Sequence, residues 1–257
     1  MNGRREHGRL GVAILGVAHL HALSYGQALA ASPTARLVGF HDASPELAER
    51  AAPHLGCPHQ PDLDALLDGG DVEAIIVCSA TNGHRALVEH AAARGLHVLC
   101  EKPIATTIAD AEAMIEACAT HGVQLHTAFV TRFYPLVAQV RDAVASGRLG
   151  DLIGMVGGNR GRPPLPPLYP PWITTQAEAG GGALMDHSVH VTDVMRHVSG
   201  QEVVRVTAET DALFVEQPQV AADRCVDEPQ LIELTAELAD AKAQLAVSFV
   251  QIVDPLG

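Results

Sequence analysis

Short apolar runs alternate with helix-like segments over the first half of this 257-residue chain, and this alternation restricts the fold more than any other feature. Each run spans four to seven residues, and the runs are 10–15, 36–40, 72–78, 97–100 and 123–128. Runs of this length, separated by helices, are typical of parallel strands that are buried on both faces. The pattern therefore predicts an α/β fold built on a doubly wound parallel sheet.

The second half of the chain has a different pattern. A helix-like stretch at 183–198 is followed by strand-like runs with no helix between them, at 202–209, 231–238 and 244–253. Strands in direct succession favour a mostly antiparallel sheet, so we predict an α+β second domain. The predicted domains are residues 1–125 and 126–257.

The charge and the cysteines exclude several classes of partner and location. The chain has 17 basic and 30 acidic side chains, a net charge of −13, whereas binding to nucleic acid or an anionic membrane surface needs clustered lysine and arginine. No apolar stretch approaches the roughly 20 residues of a membrane span. Five scattered cysteines without a paired motif indicate a reducing, cytoplasmic compartment. The alternative is export by a twin-arginine signal at Arg4-Arg5, whose cleavage would remove the first strand.

The turn after the first strand, residues 16–21, partly matches a dinucleotide-binding fingerprint, which has glycine at its first, third and sixth positions. Gly16 matches the first of these positions, and Ala18 adds only a methyl group at the second. His21 replaces the third glycine, which allows close packing of helix on strand. From this turn alone, a plain strand-to-helix connection is an equal alternative.

Asp42 strengthens the dinucleotide interpretation. It follows the second strand, 21 positions after His21, and the fingerprint expects an acidic residue roughly 20 positions on. A carboxylate there can accept hydrogen bonds from both ribose hydroxyls and would repel a 2′-phosphate, which favours NAD over NADP. The alternative is a solvated aspartate at the end of a strand.

Polar side chains follow the third and fourth predicted strands, at the carboxyl ends where open parallel sheets bind ligands. These side chains are Ser79, Thr81, Asn82 and His84 after the third strand, and Glu101 and Lys102 after the fourth. Lys102 is one of only two lysines in the chain, which indicates a need for a compact ammonium with an adjustable pKa. The alternative is that Lys102 forms a surface ion pair with Glu101.

Asp186 and His190 form the densest candidate site in the second half. They follow the triple glycine 180–182 and are four residues apart on a predicted helix, so they share one face. A carboxylate that orients an imidazole makes it a better general base at neutral pH. Asp186 could instead only stabilise the first turn of the helix. A metal site of Asp186, His187 and His190 lacks a fourth ligand with recognisable spacing, so the sequence predicts no metal.

Together these motifs resemble the glucose–fructose oxidoreductase, inositol dehydrogenase and rhizopine-catabolism (Gfo/Idh/MocA) family. The resemblance rests on the turn at 16–21, Asp42, the triplet 101–103, the turn at 146–151 and the glycine-rich stretch 180–190. It implies a Rossmann domain joined to an α+β domain whose sheet mediates homo-oligomerisation. It also implies NAD(P)-dependent hydride transfer between nicotinamide and a secondary alcohol or ketone of a sugar, cyclitol or related polyol.

The resemblance also implies roles for single residues. Lys102 resembles the family's catalytic lysine, His190 its catalytic histidine and Asp186 its substrate-binding aspartate. Glu101 resembles a residue that contacts the nicotinamide ribose. The predicted cofactor-binding residues are then Gly16, Ala18, His19, Leu20, His21, Asp42, Ser79, Thr81, Asn82, His84, Glu101 and Lys102.

Three departures from the family pattern keep other functions open. The glycine turn is altered, Trp172 is followed by Ile173 where the family often has arginine, and family members usually run well past residue 257. We therefore expect a C-terminally shortened second domain with an incomplete sheet. The alternative function is a non-catalytic, dinucleotide- or sugar-binding regulatory homologue. A third hypothesis is a metal-dependent lyase or isomerase that uses Asp186, His187 and His190.

Overall fold

The computed structural model describes residues 8–159, 169–212, 230–238 and 244–250, and these form two compact units. The first unit comprises residues 8–128 together with two later segments, 169–173 and 177–180. The second unit comprises residues 129–159, 174–176 and the described residues from 181 onward. Within the described residues, no helix is both long and apolar enough to cross a membrane.

The first unit contains a five-stranded sheet in which every neighbouring pair of strands is parallel. Its strands are β1 (Leu10–Leu15), β2 (Ala35–His41), β3 (Ala74–Val77), β4 (His97–Cys100) and β5 (Leu125–Thr127). Their order is β2-β1-β3-β4-β5, so the chain leaves β1 on one side and later returns on the other. Such a switch point leaves a crevice at the carboxyl ends of the strands. The predicted doubly wound parallel sheet is confirmed.

Both faces of this sheet are buried. Ile14 and Leu15 are adjacent on β1 and fully buried, yet they belong to two different hydrophobic clusters, because successive side chains of a strand point to opposite faces. Phe40 packs in the cluster of Ile14, and Ile75 packs in the cluster of Leu15. Helices cover the two faces, namely α1 (His21–Ala31), α2 (Pro45–Leu55), α3 (Leu63–Asp68), α4 (His84–Ala92) and α5 (Ile108–Thr120).

Local sequence signals set the helix ends in this unit. The Ser44 side chain accepts a hydrogen bond from the backbone N–H of Leu47, Pro45 occupies the first turn, and Gly56 closes α2 with a left-handed backbone. The Thr107 hydroxyl caps α5 in the same way, by accepting from the N–H of Asp110. Because these caps use side chains close in sequence, the helix boundaries follow from short motifs.

The second unit is an α+β structure with a four-stranded sheet of order β6-β9-β8-β7. Its strands are β6 (Gly154–Gly157), β7 (Val203–Ala212), β8 (Gln230–Leu238) and β9 (Gln244–Val250). Only β6 and β9 pair in parallel, and the other two pairs are antiparallel, as predicted. Its main helices are α6 (Pro135–Ala145) and α8 (Ala183–Ser199). The short helix α7 (Gln176–Ala179) precedes α8 along the chain, and its residues 177–179 belong to the first unit. A Cβ on Gly157 would lie 2.9 Å from Val191 and Met195, so β6 and α8 approach closely.

Candidate active site

The turn between β1 and α1 requires glycine at its first position. Gly16 has a φ of +80°, which favours glycine. A Cβ built on it would lie only 2.5 Å from the backbone nitrogen of Ser79, at the end of β3. The Gly16 N–H donates to the carbonyl of His41 at 2.7 Å. The turn is therefore fixed between the carboxyl ends of β2 and β3.

Asp42 is held against this turn by two backbone amides. Its Oδ2 accepts from the N–H of Val17 at 2.7 Å, and its Oδ1 accepts from the N–H of Ser44 at 2.8 Å. Each carboxylate oxygen keeps further acceptor capacity. Asp42 is thus oriented at the carboxyl end of β2 with the ability to accept hydrogen bonds from a ribose.

His19 and Trp172 stabilise the rest of the turn. The N–H of His19 donates to the carbonyl of Cys78 at 2.9 Å, and its buried ring accepts the N–H of His21 at Nδ1, 3.2 Å away. The indole Nε1–H of Trp172 donates to the carbonyl of Ala18 at 3.1 Å. The rings of Trp172 and His19 lie 5.9 Å apart. The segment 169–173 therefore contacts the turn directly.

His21, which replaces the third glycine of the fingerprint, pairs with Glu101. Its Nδ1 lies 2.9 Å from Oε1 of Glu101, and the Tyr25 hydroxyl donates to the same oxygen at 2.7 Å. The second oxygen, Oε2, accepts the N–H of Lys102 at 3.0 Å. The side chain of His21 is 44% exposed and the next residue, Ala22, is fully buried. The imidazole therefore does not occupy the helix–strand interface that a third glycine normally keeps open.

The ionisation states of Glu101 and Tyr25 follow from their contacts. Burial by itself would raise the pKa of Glu101, but the hydrogen bond from His21, the charges of His19 and His21 and the hydroxyl of Tyr25 outweigh burial and lower that pKa to about 2. Burial, followed by the negative charge of Glu101, raises the pKa of Tyr25 well above its usual range. At neutral pH, Glu101 is therefore a carboxylate and the phenol of Tyr25 is neutral.

The other predicted residues of the first unit differ in their accessibility. Lys102 and Thr81 are buried, Leu20 and Asn82 are exposed, and the Ser79 hydroxyl donates to the carbonyl of Ala80. His84 is buried, with Nδ1 at 3.1 Å from the carbonyl of Ile104 and Nε2 at 3.3 Å from that of Ser79. Burial lowers the pKa of His84. In this position His84 joins the loop after β3 to the loop after β4.

In the second unit, the predicted residues lie on α8. Oδ2 of Asp186 is 3.5 Å from Nε2 of His187, and the ring of His190 meets Phe129 edge to face, with centroids 6.5 Å apart. Three residues after His190, the buried carboxylate of Asp193 receives two hydrogen bonds from Nε of Arg132, at 2.7 and 2.8 Å. This pair fixes α8 to the segment that precedes α6.

Several residues of the site were missed by the sequence reasoning. Tyr25 could have been found, because it lies four residues after His21 and therefore on the same face of α1. Phe129, Trp172 and the Arg132–Asp193 pair have no such signal, since their partners are distant in sequence.

Comparisons with known proteins agree with the fold. Residues 10–129 match a family model described as an oxidoreductase family with an NAD-binding Rossmann fold, and residues 137–253 match the GFO/IDH/MocA C-terminal domain. Inositol 2-dehydrogenase from Rhizobium meliloti (strain 1021) is 31% identical over 207 residues, which cover 80% of this chain and 58% of that protein. The 1,5-anhydro-D-fructose reductase from Ensifer adhaerens is 35% identical over 146 residues, covering 57% of this chain and 43% of that protein.

A solved structure extends the similarity over nearly all of the chain. The aldose-aldose oxidoreductase from Caulobacter crescentus, crystallised with glycerol, superposes with a TM-score of 0.81 at 27% identity. The match covers 96% of this chain and 72% of that one. The chain spans about half the length of the curated relatives described above.

Proposed function

Because this chain belongs to the GFO/IDH/MocA oxidoreductase family and has its NAD-binding Rossmann domain, we propose that it is an NAD-dependent dehydrogenase or reductase of a sugar, cyclitol or related polyol. It would transfer a hydride between the nicotinamide and a secondary alcohol or ketone. The names of the relatives, an inositol dehydrogenase and an anhydrofructose reductase, support this class of substrate.

The turn at 16–21 together with Asp42 is the observation that carries the cofactor assignment. Gly16 lets the backbone of the turn pass close to β3, and α1 begins at His21, so a pyrophosphate bound at the turn would lie at the N-terminal end of this helix. The fixed carboxylate of Asp42 would accept from the ribose hydroxyls. The 2′-phosphate of NADP would bring a further negative charge close to that carboxylate and would be repelled by it. This repulsion favours NAD over NADP.

Lys102, His190 and Asp186 are the proposed catalytic residues. A bound nicotinamide supplies the hydride chemistry. In the oxidative direction, the imidazole of His190 would take the proton of the reacting hydroxyl at Nε2, since its Nδ1 is buried. The ammonium of Lys102 would donate to the same oxygen and stabilise its developing negative charge. Asp186 would hold a neighbouring hydroxyl or orient His190.

The proposal extends to location and assembly. The four cysteines among the residues that the structure describes are free, which supports a reducing, cytoplasmic compartment. Val204 and Val206 on β7 are exposed, as is Val156 on β6. These exposed valines support homo-oligomerisation through the sheet of the second unit. The net charge of −13 argues against nucleic acid as a partner.

The test combines turnover with an independent measurement of cofactor binding. Turnover is followed by NADH absorbance with a panel of sugars and cyclitols, and NAD binding by calorimetry. We expect Lys102→Met and His190→Asn each to lower kcat by about 100-fold or more. Lys242→Met, at the only other lysine, and His90→Asn, at a partly exposed histidine that contacts Asp64, are matched controls.

Two results would contradict the proposal. Unchanged turnover in both Lys102→Met and His190→Asn would refute the assignment of catalytic roles. NAD binding without turnover on any substrate of the panel would favour the alternative, a non-catalytic regulatory homologue.

A further inference from the structure

A group of metal-ligating side chains in the first unit is not explained by hydride transfer. One ligand atom from each of His19, His21 and Glu101 lies within 4.8 Å of the other two. The two histidines are one residue apart in the turn, and Glu101 reaches them from the end of β4. Two imidazoles and one carboxylate form the ligand set of many catalytic zinc sites.

We propose that His19, His21 and Glu101 form a site for a divalent transition metal of the Zn²⁺ class. Such ions bind imidazole nitrogen at about 2.1 Å and carboxylate oxygen at about 2.1 Å. Two ligands of a tetrahedral ion are then about 3.4 Å apart. Nδ1 of His21 and Oε1 of Glu101 are 2.9 Å apart, so the ion needs a separation about 0.5 Å wider. It would take the place of the proton that these two atoms share.

His19 supplies the third ligand atom. The N–H of His21 donates to Nδ1 of His19 over 3.2 Å, so this nitrogen can act as an acceptor. Because the lone pair of this nitrogen is directed at the backbone nitrogen of His21, the ring of His19 would have to turn away from that N–H to bind the ion. Three protein ligands leave a further position for water.

Hydrogen bonds from Tyr25 and Lys102 orient the carboxylate of Glu101, in the way that outer contacts orient the ligands of known metal sites. The Tyr25 hydroxyl donates to Oε1 of Glu101 at 2.7 Å, and the Lys102 N–H donates to Oε2 at 3.0 Å. Such outer contacts fix the direction of ligand lone pairs. Because two of the three ligands are nitrogen, the site suits Zn²⁺ or Co²⁺ and disfavours Mg²⁺, which prefers oxygen ligands and retained water.

The site has a consequence that rests on the proposed function. His21 and Glu101 are also proposed to bind the cofactor, so an ion that holds both side chains would exclude NAD. Zn²⁺ would then inhibit the enzyme in competition with NAD.

The test of the site itself needs no substrate. The untagged full chain is freed of metal with EDTA and titrated with Co²⁺, and binding is followed by the visible d–d absorption bands. We expect one Co²⁺ per chain, and affinity reduced by about 100-fold or more in His19→Gln, His21→Gln and Glu101→Gln. His90→Gln, which removes a partly exposed imidazole that contacts Asp64, is the matched control and should bind like the parent.

Folding of each variant is checked by the fluorescence of Trp172, which packs against the same turn. The partly exposed His21 keeps the test valid if a variant at a buried position does not fold. Absence of d–d bands in the parent, or equal affinity in His21→Gln and His90→Gln, would overturn the site. Tight Co²⁺ binding that NAD does not displace would support the site and refute only the competition, and with it the cofactor role of His21 and Glu101.

Discussion

Replacing Arg132 by methionine tests whether the buried ion pair of the second unit holds α8 in place. The Asp193 carboxylate is 2% exposed, and Nε of Arg132 lies 2.7 and 2.8 Å from its two oxygens. Removing one partner of a buried pair costs about 3–5 kcal/mol, because the other charge stays buried without compensation. The Arg132 side chain is 36% exposed, so water can partly replace it, and we expect the lower end, about 3 kcal/mol.

The assay is urea unfolding followed by far-UV circular dichroism, with hydrogen–deuterium exchange of peptides from α8 to localise the effect. Arg196→Met is the matched control, because Arg196 pairs with the exposed Glu202 at the end of the same helix. Exposed pairs contribute about 0–1 kcal/mol. The double variant Arg132→Met/Asp193→Leu removes both charges and should return to within about 1 kcal/mol of the parent protein.

Two outcomes would refute this reasoning. If Arg132→Met costs no more than Arg196→Met, the buried carboxylate does not depend on the guanidinium. If the double variant is as unstable as the single one, the loss comes from packing and the two charges are not coupled.

Three further predictions concern the first unit, whose unfolding in urea can be followed by the fluorescence of Trp172, the only tryptophan. Gly16→Ala places a methyl group 2.5 Å from the Ser79 nitrogen at positive φ, so we expect the free energy of unfolding to fall by about 1–3 kcal/mol. We also expect weaker NAD binding by calorimetry, and an affinity equal to that of the parent would contradict this reasoning. Trp172→Phe removes the donor to the Ala18 carbonyl and should cost about 1 kcal/mol, measured by circular dichroism. Glu101→Gln should cost about 3 kcal/mol at pH 7, because the pKa of Glu101 is lowered from 4.5 to about 2. A lowered pKa stabilises the fold above pH 4.5, so the difference in the free energy of unfolding between parent and variant should shrink as the pH falls from 4.5 to about 2. The measurements are made with a chelator present. A difference that does not change with pH would contradict the pKa shift.

Features encoded by nearby residues were predictable from the sequence. The strands of the first unit follow from uniform apolar runs, and α2 and α5 begin at Ser44 and Thr107, whose capping patterns span only three residues. The six-residue helix α3 was not predicted, because its apolar residues are too few to show a helical period.

Contacts between distant residues account for most of what the sequence reasoning did not foresee. The His21–Glu101 pair joins residues 80 apart, and the Arg132–Asp193 pair joins residues 61 apart. No local pattern links such positions, since only the folded backbone brings them together. His21 illustrates the effect: its residue type contradicts the glycine fingerprint, and its partner Glu101 shows how the turn accommodates it. The roles of Lys102, Asp186 and His190 stay predictions.

The return of residues 169–173 to the first unit bears on how such genes can recombine. The hydrogen bond from Trp172 to the Ala18 carbonyl connects positions 154 residues apart. A chimaera that takes residues 1–128 from this chain and the rest from a relative would combine this turn with the relative's version of the segment that packs on it. The nucleotide-binding unit therefore cannot be exchanged intact between relatives at a single breakpoint near residue 128. A functional exchange needs its second breakpoint after residue 180, so that the turn and the segment that supports it are inherited together.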